Sequence, residues 1–373
     1  MKRALVAMSG GVDSAAAAAL MLDQGYDCVG ATMKLIAAGG SKCCSLDDIN
    51  DARMAAWKLG IPHYVLNYTE DFTRFVIDPF IAAYENGETP NPCIECNRHL
   101  KFRLLLRRAR ELEAEVLVTG HYARIGNARP AGSVTTEAAG SPEERAGRRL
   151  LLKGIDLKKD QSYVLYTMSQ EELAFTRFPL GEMTKAEVRT LAEKRGLANA
   201  GKRESQDICF VPDGDYGAFM EAYTGKRYAP GDITNEQGGI LGRHRGLIRY
   251  TLGQRRGIGV ACNEPFYVTA KNRETNTLVL GPESSLYSKN LTANRINLIA
   301  CPSIPRPIRL KVKTRYLQNE RWALVEQTGP DTVHVEFEEA QRAITPGQAA
   351  VFYDGDIVVG GGTITSVCLN QRT

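Results

Sequence analysis

The chain has 373 residues, 43% apolar and 24% charged, with a mild net charge of +4, the composition of an ordinary globular protein of two or three domains. No apolar run reaches the roughly 18–20 residues that span a bilayer, and the stretch after Met1-Lys2-Arg3 is too short for a signal sequence. A cytoplasmic location without membrane contact is therefore expected, with the nine cysteines acting as thiols, ligands or catalysts and not as static disulfides.

In chain order, residues 3–8 form a short apolar strand ending in Ser9-Gly10-Gly11-Val12-Asp13-Ser14, and a helix-forming stretch over 15–24 closes at Gly25. The unit repeats: a strand over 27–35, a helix from the capping box Ser45-Leu46-Asp47-Asp48 to Leu59, and a strand over 63–68. Two more helical stretches precede a fourth strand over 115–119. Strands alternating with helices predict an α/β, doubly wound parallel sheet. Residues 126–149, rich in Gly, Ala, Ser, Pro and charge without a period, predict a mobile surface loop. Thr184-Lys185-Ala186-Glu187 caps one more helix. Past about Ser205 the segments become short and glycine-rich. From Leu291 onward, period-two stretches at 311–316, 333–337 and 350–353, with a hairpin turn at Asp354-Gly355, predict a small C-terminal β-barrel. The expected division is 1–205, 206–290 and 291–373.

The glycine turn after the first strand is neither a Walker loop nor Gly-x-Gly-x-x-Gly, yet it suits an anion. Two glycines let the backbone approach closely, and the helix that follows aims its free N–H groups and positive dipole end at the same point. Ser9 and Ser14 add hydroxyl donors, and Asp13 can hold a Mg2+ that shields phosphate charge. A plain βα turn with an N-cap serine is the competing reading, and it leaves the second glycine and Asp13 without a purpose.

Three further segments carry chemistry-bearing residues. Thr89-Pro90-Asn91-Pro92-Cys93-Ile94-Glu95-Cys96-Asn97 is a proline-stiffened turn ahead of a helix expected over 98–112. Cys96 near that helix N-terminus would feel the dipole, which lowers a thiol pKa from about 8.5. Cys209 lies in Glu204-Ser205-Gln206-Asp207-Ile208-Cys209-Phe210, and His121 follows Gly120 at the end of the fourth strand, where open α/β sheets bind ligands. For a lone histidine there, a satisfied structural role competes with a functional one. Arg243, Arg245, Arg249, Arg255 and Arg256 fall in a stretch without an acid, readable as a solvated face or a phosphate contact. Cys28, Cys262, Cys301 and Cys368 read as core or barrel residues, and Cys43-Cys44 as partly buried thiols.

The glycine turn resembles the pyrophosphate loop of the ATP pyrophosphatase superfamily, whose members adenylate a carbonyl oxygen, release pyrophosphate and let a nucleophile displace AMP. Together with the cysteine segments, Lys159-Asp160-Gln161-Ser162-Tyr163, Tyr250-Thr251-Leu252-Gly253-Gln254-Arg255, Val312-Lys313-Thr314-Arg315-Tyr316 and Thr345-Pro346-Gly347-Gln348, it makes nearly the whole chain resemble the tRNA-specific 2-thiouridylase (MnmA) family. Only 126–149 and Cys43-Cys44 fall outside the resemblance.

That resemblance implies an adenine nucleotide alpha hydrolase-like domain with a PP-loop, a small central tRNA-binding domain and the barrel. It implies ATP cradled by Ala7, Met8, Ser9, Gly10, Gly11, Val12, Asp13 and Ser14, with Met33 and Gly120 at the adenosine end. Cys209 would carry sulfur as a persulfide, with Cys96 as partner thiolate and a Cys96–Cys209 disulfide left to be reduced. Asn91, Pro92 and Cys93 would surround the flipped base. His121, Lys159, Asp160, Gln161, Arg315, Tyr316 and Gln348 would contact tRNA of the Lys, Glu and Gln type. A sulfur-donating protein or relay is the further partner implied, and a monomer is the default.

Where the family pattern carries aspartate, this chain carries Cys93. Cys93, Cys96 and Cys209 could alternatively hold a 4Fe–4S cluster, and Cys93-x-x-Cys96 part of a zinc site; these routes stay open beside the persulfide. Another ATP pyrophosphatase, an amide- or guanidine-forming ligase, would not need the two cysteines. A nucleotide-switched RNA-binding protein would release no pyrophosphate.

Overall fold

The computed structural model describes residues 2–36, 46–128, 147–197, 208–211, 214–260 and 264–368. Strand β1 (Arg3–Ala7) leads through helix α1 (Val12–Asp23) to β2 (Asp27–Lys34), helix α2 (Leu46–Leu59) and β3 (His63–Asn67). Helical segments at 69–85 and 92–111 precede β4 (Val116–Val118). A hairpin of β5 (Ala123–Asn127) and β6 (Arg149–Lys153) comes next, then the two-residue β7 (Thr176–Arg177). Strands β1 to β4 and β7 make one parallel sheet in the order β3-β2-β1-β4-β7.

Alternation along the central strands covers both faces. Ala4 and Val6 of β1 pack with the alanines of α1, whose small side chains let that helix lie close to the sheet. Leu5 points the other way, into a core with Phe102, Leu105 and Ala109. This is the doubly wound sheet expected, with β7 as a strand too short to leave a sequence signal.

The central part pairs a helix (Tyr216–Thr224) with β8 (Gly231–Asn235), β9 (Ile240–His244), β10 (Tyr267–Asn272) and β11 (Thr277–Gly281), in the order β10-β11-β8-β9. Beyond it, β12 (Tyr287–Leu298), β13 (Ile308–Lys313), β14 (Arg321–Gly329), β15 (Thr332–Arg342), β16 (Ala349–Asp354) and β17 (Ile357–Cys368) close into a barrel through the β12–β17 pairing. Asp354↔Ile357 closes the hairpin, with Gly355 at φ 59° as a two-residue turn requires.

Two features depart from the sequence expectation. The ends of the segment 126–149 are not loop: Gly126 and Asn127 belong to β5 and Arg149 to β6, and β6 pairs with β17 of the barrel at Leu151↔Val358 and Leu152↔Ile357. Residues 129–146 lie outside the described residues. Second, the helix expected over 98–112 begins at Pro92, and its middle, Cys96–Leu104, is π-helical. The Ser45 cap, Cys43, Cys44, Glu204 to Asp207 and Cys262 also lie outside the described residues.

β16 is shared by two cores. Ala349, Val351 and Tyr353 pack into the core that holds Leu5 and Phe102, whereas Ala350 and Phe352 fill the barrel. Tyr163, fully buried, donates its hydroxyl to the Ala349 carbonyl at 2.9 Å across that seam. Tyr163→Phe is expected to cost about 1 kcal/mol and to lower Tm by about 2 °C. A thermal melt of the variant that matches wild type would show that the seam carries no stability.

Candidate functional site

Gly10, at φ 76°, faces α2 so closely that a Cβ would stand 2.3 Å from the Asp48 carbonyl oxygen. Only glycine fits this turn. Ser14 donates its hydroxyl to the Gly11 carbonyl at 3.0 Å and accepts the Ser9 N–H at 3.2 Å, so both serines shape the loop. Gly120, just after β4, lies against the first turn of α1; a Cβ there would meet Asp13 C and Ser14 N at 2.9 Å. Ala7 and Met8 end β1, Met8 being buried with its carbonyl accepting from Thr32 at 2.7 Å. Met33 is half-buried near the end of β2.

Asp13 is not left to solvent. Lys185 Nζ donates to its two carboxylate oxygens at 2.7 and 2.8 Å, and the Tyr122 hydroxyl donates to Oδ1 at 2.7 Å. Lys185 is buried at the start of the helix Lys185–Lys194, whose Thr184–Glu187 capping box is present as expected. Sequence reasoning found that cap but missed Lys185 and Tyr122 as partners of the loop. The pairing spans 172 residues and leaves no local signal.

His121 is 7% exposed, hydrogen-bonded through Nδ1 to Thr119 at 2.7 Å and packed between Phe102 and Phe178 at ring distances of 5.8 Å. Burial, with Lys101 adding repulsion, holds its pKa well below the usual value. Asp160, also buried, accepts from the Gly154 and Ser162 N–H groups and the Ser162 hydroxyl; burial raises its pKa. Both side chains are buried, whereas direct tRNA contact was expected of them. Lys159, Gln161, Arg315, Tyr316 and Gln348 are partly exposed.

Asn91 caps the helix that starts at Pro92, accepting the Cys93 N–H at 3.1 Å. Cys93, not Cys96, therefore occupies the first turn, where the dipole acts most strongly. Cys93 is exposed, Cys96 buried and Cys209 half-buried. Phe210, beside Cys209, is locked edge-on against Phe72 and Phe80 at 5.6 and 5.1 Å. Cys96 and Cys209 thereby enter the same hydrophobic cluster. Among the described residues no three Cys, His, Asp or Glu side chains converge as ligands of one metal would.

The segment Thr345 to Gln348 meets the turn before Asn91. Pro346 accepts the Thr89 N–H at 2.9 Å and the Gln348 amide donates to the Thr89 carbonyl at 2.6 Å. Arg315 ties the barrel to the central part, donating to the Leu252 and Ala343 carbonyls. In the basic stretch, Arg243, Arg245, Arg255 and Arg256 are exposed, but Arg249 is clamped by Asp215 and Glu221. Among the described residues no helix is long and apolar enough to cross a membrane. Cys28 and Cys301 are buried as expected, and burial pushes the Cys28 thiol up to about 11.

Three family models tile the chain: a tRNA methyl transferase HUP domain over 2–213, a tRNA methyl transferase PRC-barrel domain over 217–282 and an aminomethyltransferase beta-barrel domain over 288–364. A tRNA-specific 2-thiouridylase MnmA of Symbiobacterium thermophilum is 46% identical over 372 residues, 97% of this chain and 92% of that protein. The protein of the same name from Geotalea uraniireducens is 46% identical over 100% of this chain and 97% of its own. That from Clostridioides difficile is 44% identical over 97% and 98%.

The burial of His121 has a pH signature. Its unfolded-state pKa stays near the ordinary 6.5 while the folded one lies well below, so the unfolded chain binds the extra proton as pH falls. Below about pH 6.5 wild type should lose up to about 1.4 kcal/mol per pH unit more than His121→Asn. Parallel Tm-against-pH curves for the two proteins would contradict that burial.

Proposed function

The chain belongs to the tRNA-specific 2-thiouridylase family, and on that premise we propose that it uses ATP to replace the 2-carbonyl oxygen of a tRNA wobble uridine, position 34, with sulfur. The observation that supports the sulfur route best is the packing of Cys96 and Cys209 in one cluster, behind the turn that Asn91 and Pro92 hold.

In the first step the uridine O2 attacks the α-phosphate of ATP; a P–O bond forms and pyrophosphate leaves. The loop of Gly10, Gly11 and Ser14 presents the backbone N–H groups and helix end suited to those phosphates. Asp13 would hold Mg2+, whose chemistry is to shield phosphate charge, only by exchanging the Lys185 ion pair that occupies both its oxygens in this structure. Adenylation makes AMP the leaving group, which a bare carbonyl oxygen cannot be.

In the second step the terminal sulfur of a Cys209 persulfide bonds to C2. Cys96 thiolate then attacks Cys209 Sγ. The Cys96–Cys209 bond forms, the bond between Cys209 and the transferred sulfur breaks with its electrons going to that sulfur, and AMP departs. The products are 2-thiouridine, AMP and a Cys96–Cys209 disulfide, which an external dithiol reduces. The sulfur donor is a persulfide-bearing protein or relay. The tRNA substrates are of the Lys, Glu and Gln type, recognised through Lys159, Gln161, Arg315, Tyr316, Gln348 and the exposed arginines at 243, 245, 255 and 256. The flipped base enters beside Asn91, Pro92 and Cys93, at a cost of a few kcal/mol that phosphate contacts offset.

Cys209→Ser should abolish thiouridine while leaving tRNA-dependent pyrophosphate release within about twofold of wild type. Mass spectrometry of nucleosides and a pyrophosphate assay decide this. Undiminished thiouridine in the variant would sink the persulfide route, and pyrophosphate release indifferent to tRNA would favour a different ligase.

A further inference from the structure

Lys185 is a buried cation beside the glycine turn. Its side chain is 9% exposed against 29% for Asp13, so the carboxylate is the member of the pair that ions from solvent can reach. Nζ donates to both Asp13 oxygens, at 2.7 and 2.8 Å. Asp13 lies in the first turn of α1, whose N-cap, Gly11, brings no side-chain acceptor to the N–H groups of that turn. The ammonium therefore stands beside the turn whose N–H groups a phosphate would meet.

The backbones that carry the pair are held. The Lys185 N–H donates to Asp156 at 3.0 Å, in the first turn of a helix capped by Thr184. The Tyr122 N–H donates to the Gln161 side chain at 3.0 Å, and the Gln161 N–H donates to the Tyr122 carbonyl at 2.9 Å. Tyr122 then meets both members of the pair. Its hydroxyl donates to Asp13 Oδ1 at 2.7 Å, and Lys185 Nζ lies 5.7 Å from its ring centroid. A lysine stem is long and flexible, so Nζ can change partner without movement of either helix. Asp13 meanwhile keeps the hydrogen bond from Tyr122.

Charge decides when such a change occurs. A divalent cation beside Asp13 would face the Lys185 ammonium at close range, and withdrawal of Lys185 alone would leave a partly buried carboxylate unpaired. A nucleotide removes both obstacles together, because its phosphates offer the ammonium a new partner and bring a Mg2+ that takes carboxylate oxygen. We propose that Lys185 is a phosphate-binding residue held on Asp13 until ATP arrives, and that its transfer to the phosphates opens Asp13 to Mg2+. This rests on the function given above and concerns the same site. The nucleotide-free protein keeps divalent cations off Asp13, and metal enters with ATP.

The test measures Kd for ATP and for adenosine by calorimetry on the full chain, in EDTA and in Mg2+. No tRNA is present, so no uridine is adenylated. Asp13→Asn releases the ammonium from its ion pair and should bind ATP in EDTA about tenfold more tightly than wild type. Lys185→Met added to Asp13→Asn should then weaken ATP about thirtyfold relative to Asp13→Asn alone. Mg2+ should tighten ATP binding to wild type and have little effect on Asp13→Asn. Asparagine keeps an acceptor for Tyr122 and for Lys185, and the double variant leaves no charge unpaired. Adenosine Kd, expected within about twofold of wild type in both proteins, reports that the site is formed. ATP binding to Asp13→Asn no tighter than wild type in EDTA would overturn the proposal, as would a double variant equal to Asp13→Asn. Adenosine affinity lost in step with ATP would make the ion pair a structural clamp and overturn it too. Wild type that binds ATP no better than adenosine would overturn the nucleotide site of the proposed function together with the exchange.

Discussion

The architecture depends on one shared strand. β16 buries Ala349, Val351 and Tyr353 against the catalytic sheet and Ala350 and Phe352 inside the barrel, so neither unit has a complete core without the other. Hydrogen bonds reinforce the seam: β6 extends the barrel edge at β17, and Tyr163 and Gln348 each bond a carbonyl on the far side. Apolar burial at about 25 cal/mol per Å2 makes such a seam costly to open. The parallel sheet and the barrel are therefore joined by one packed and hydrogen-bonded seam.

The glycine turn after β1 was legible because its constraints are local. Gly10 and Gly11 follow an apolar strand and precede a helix, and the structure shows why Gly10 is irreplaceable: φ is positive and the Asp48 carbonyl is in contact. The Thr184–Glu187 cap and the Asp354-Gly355 hairpin carry their own signatures within four residues and were equally readable. What escaped was set by distant partners. β6 reads as a plain Arg-Leu-Leu-Leu-Lys run until β17 lies beside it. Lys185 looks like an ordinary surface lysine in the first turn of a helix until Asp13 takes it. His121 sits at a strand end where ligands bind, yet Phe102 and Phe178 close over it. The helix start at Pro92 was misplaced because Pro92 was read as part of a rigid turn, when proline is also favoured in the first turn of a helix.

The cysteines divide by environment. Cys93 is exposed at a capped helix start, whereas Cys96 and Cys209 lie among Phe72, Phe80, Leu100 and Phe210. The Glu85 to Asn91 connection touches both the central part, through Lys226 and Tyr228, and the barrel, through Gln348.

The central claim, that sulfur rides on Cys209 and is freed by Cys96, is tested most directly by locating the sulfur. The protein is charged by a persulfide donor, digested without reductant and mapped by mass spectrometry before and after ATP and tRNA are added. The account predicts one extra sulfur on the Cys209 peptide before, and after addition its loss together with a Cys96–Cys209 disulfide in the same amount as new thiouridine. Thiouridine formed while the Cys209 peptide never gains sulfur would contradict it.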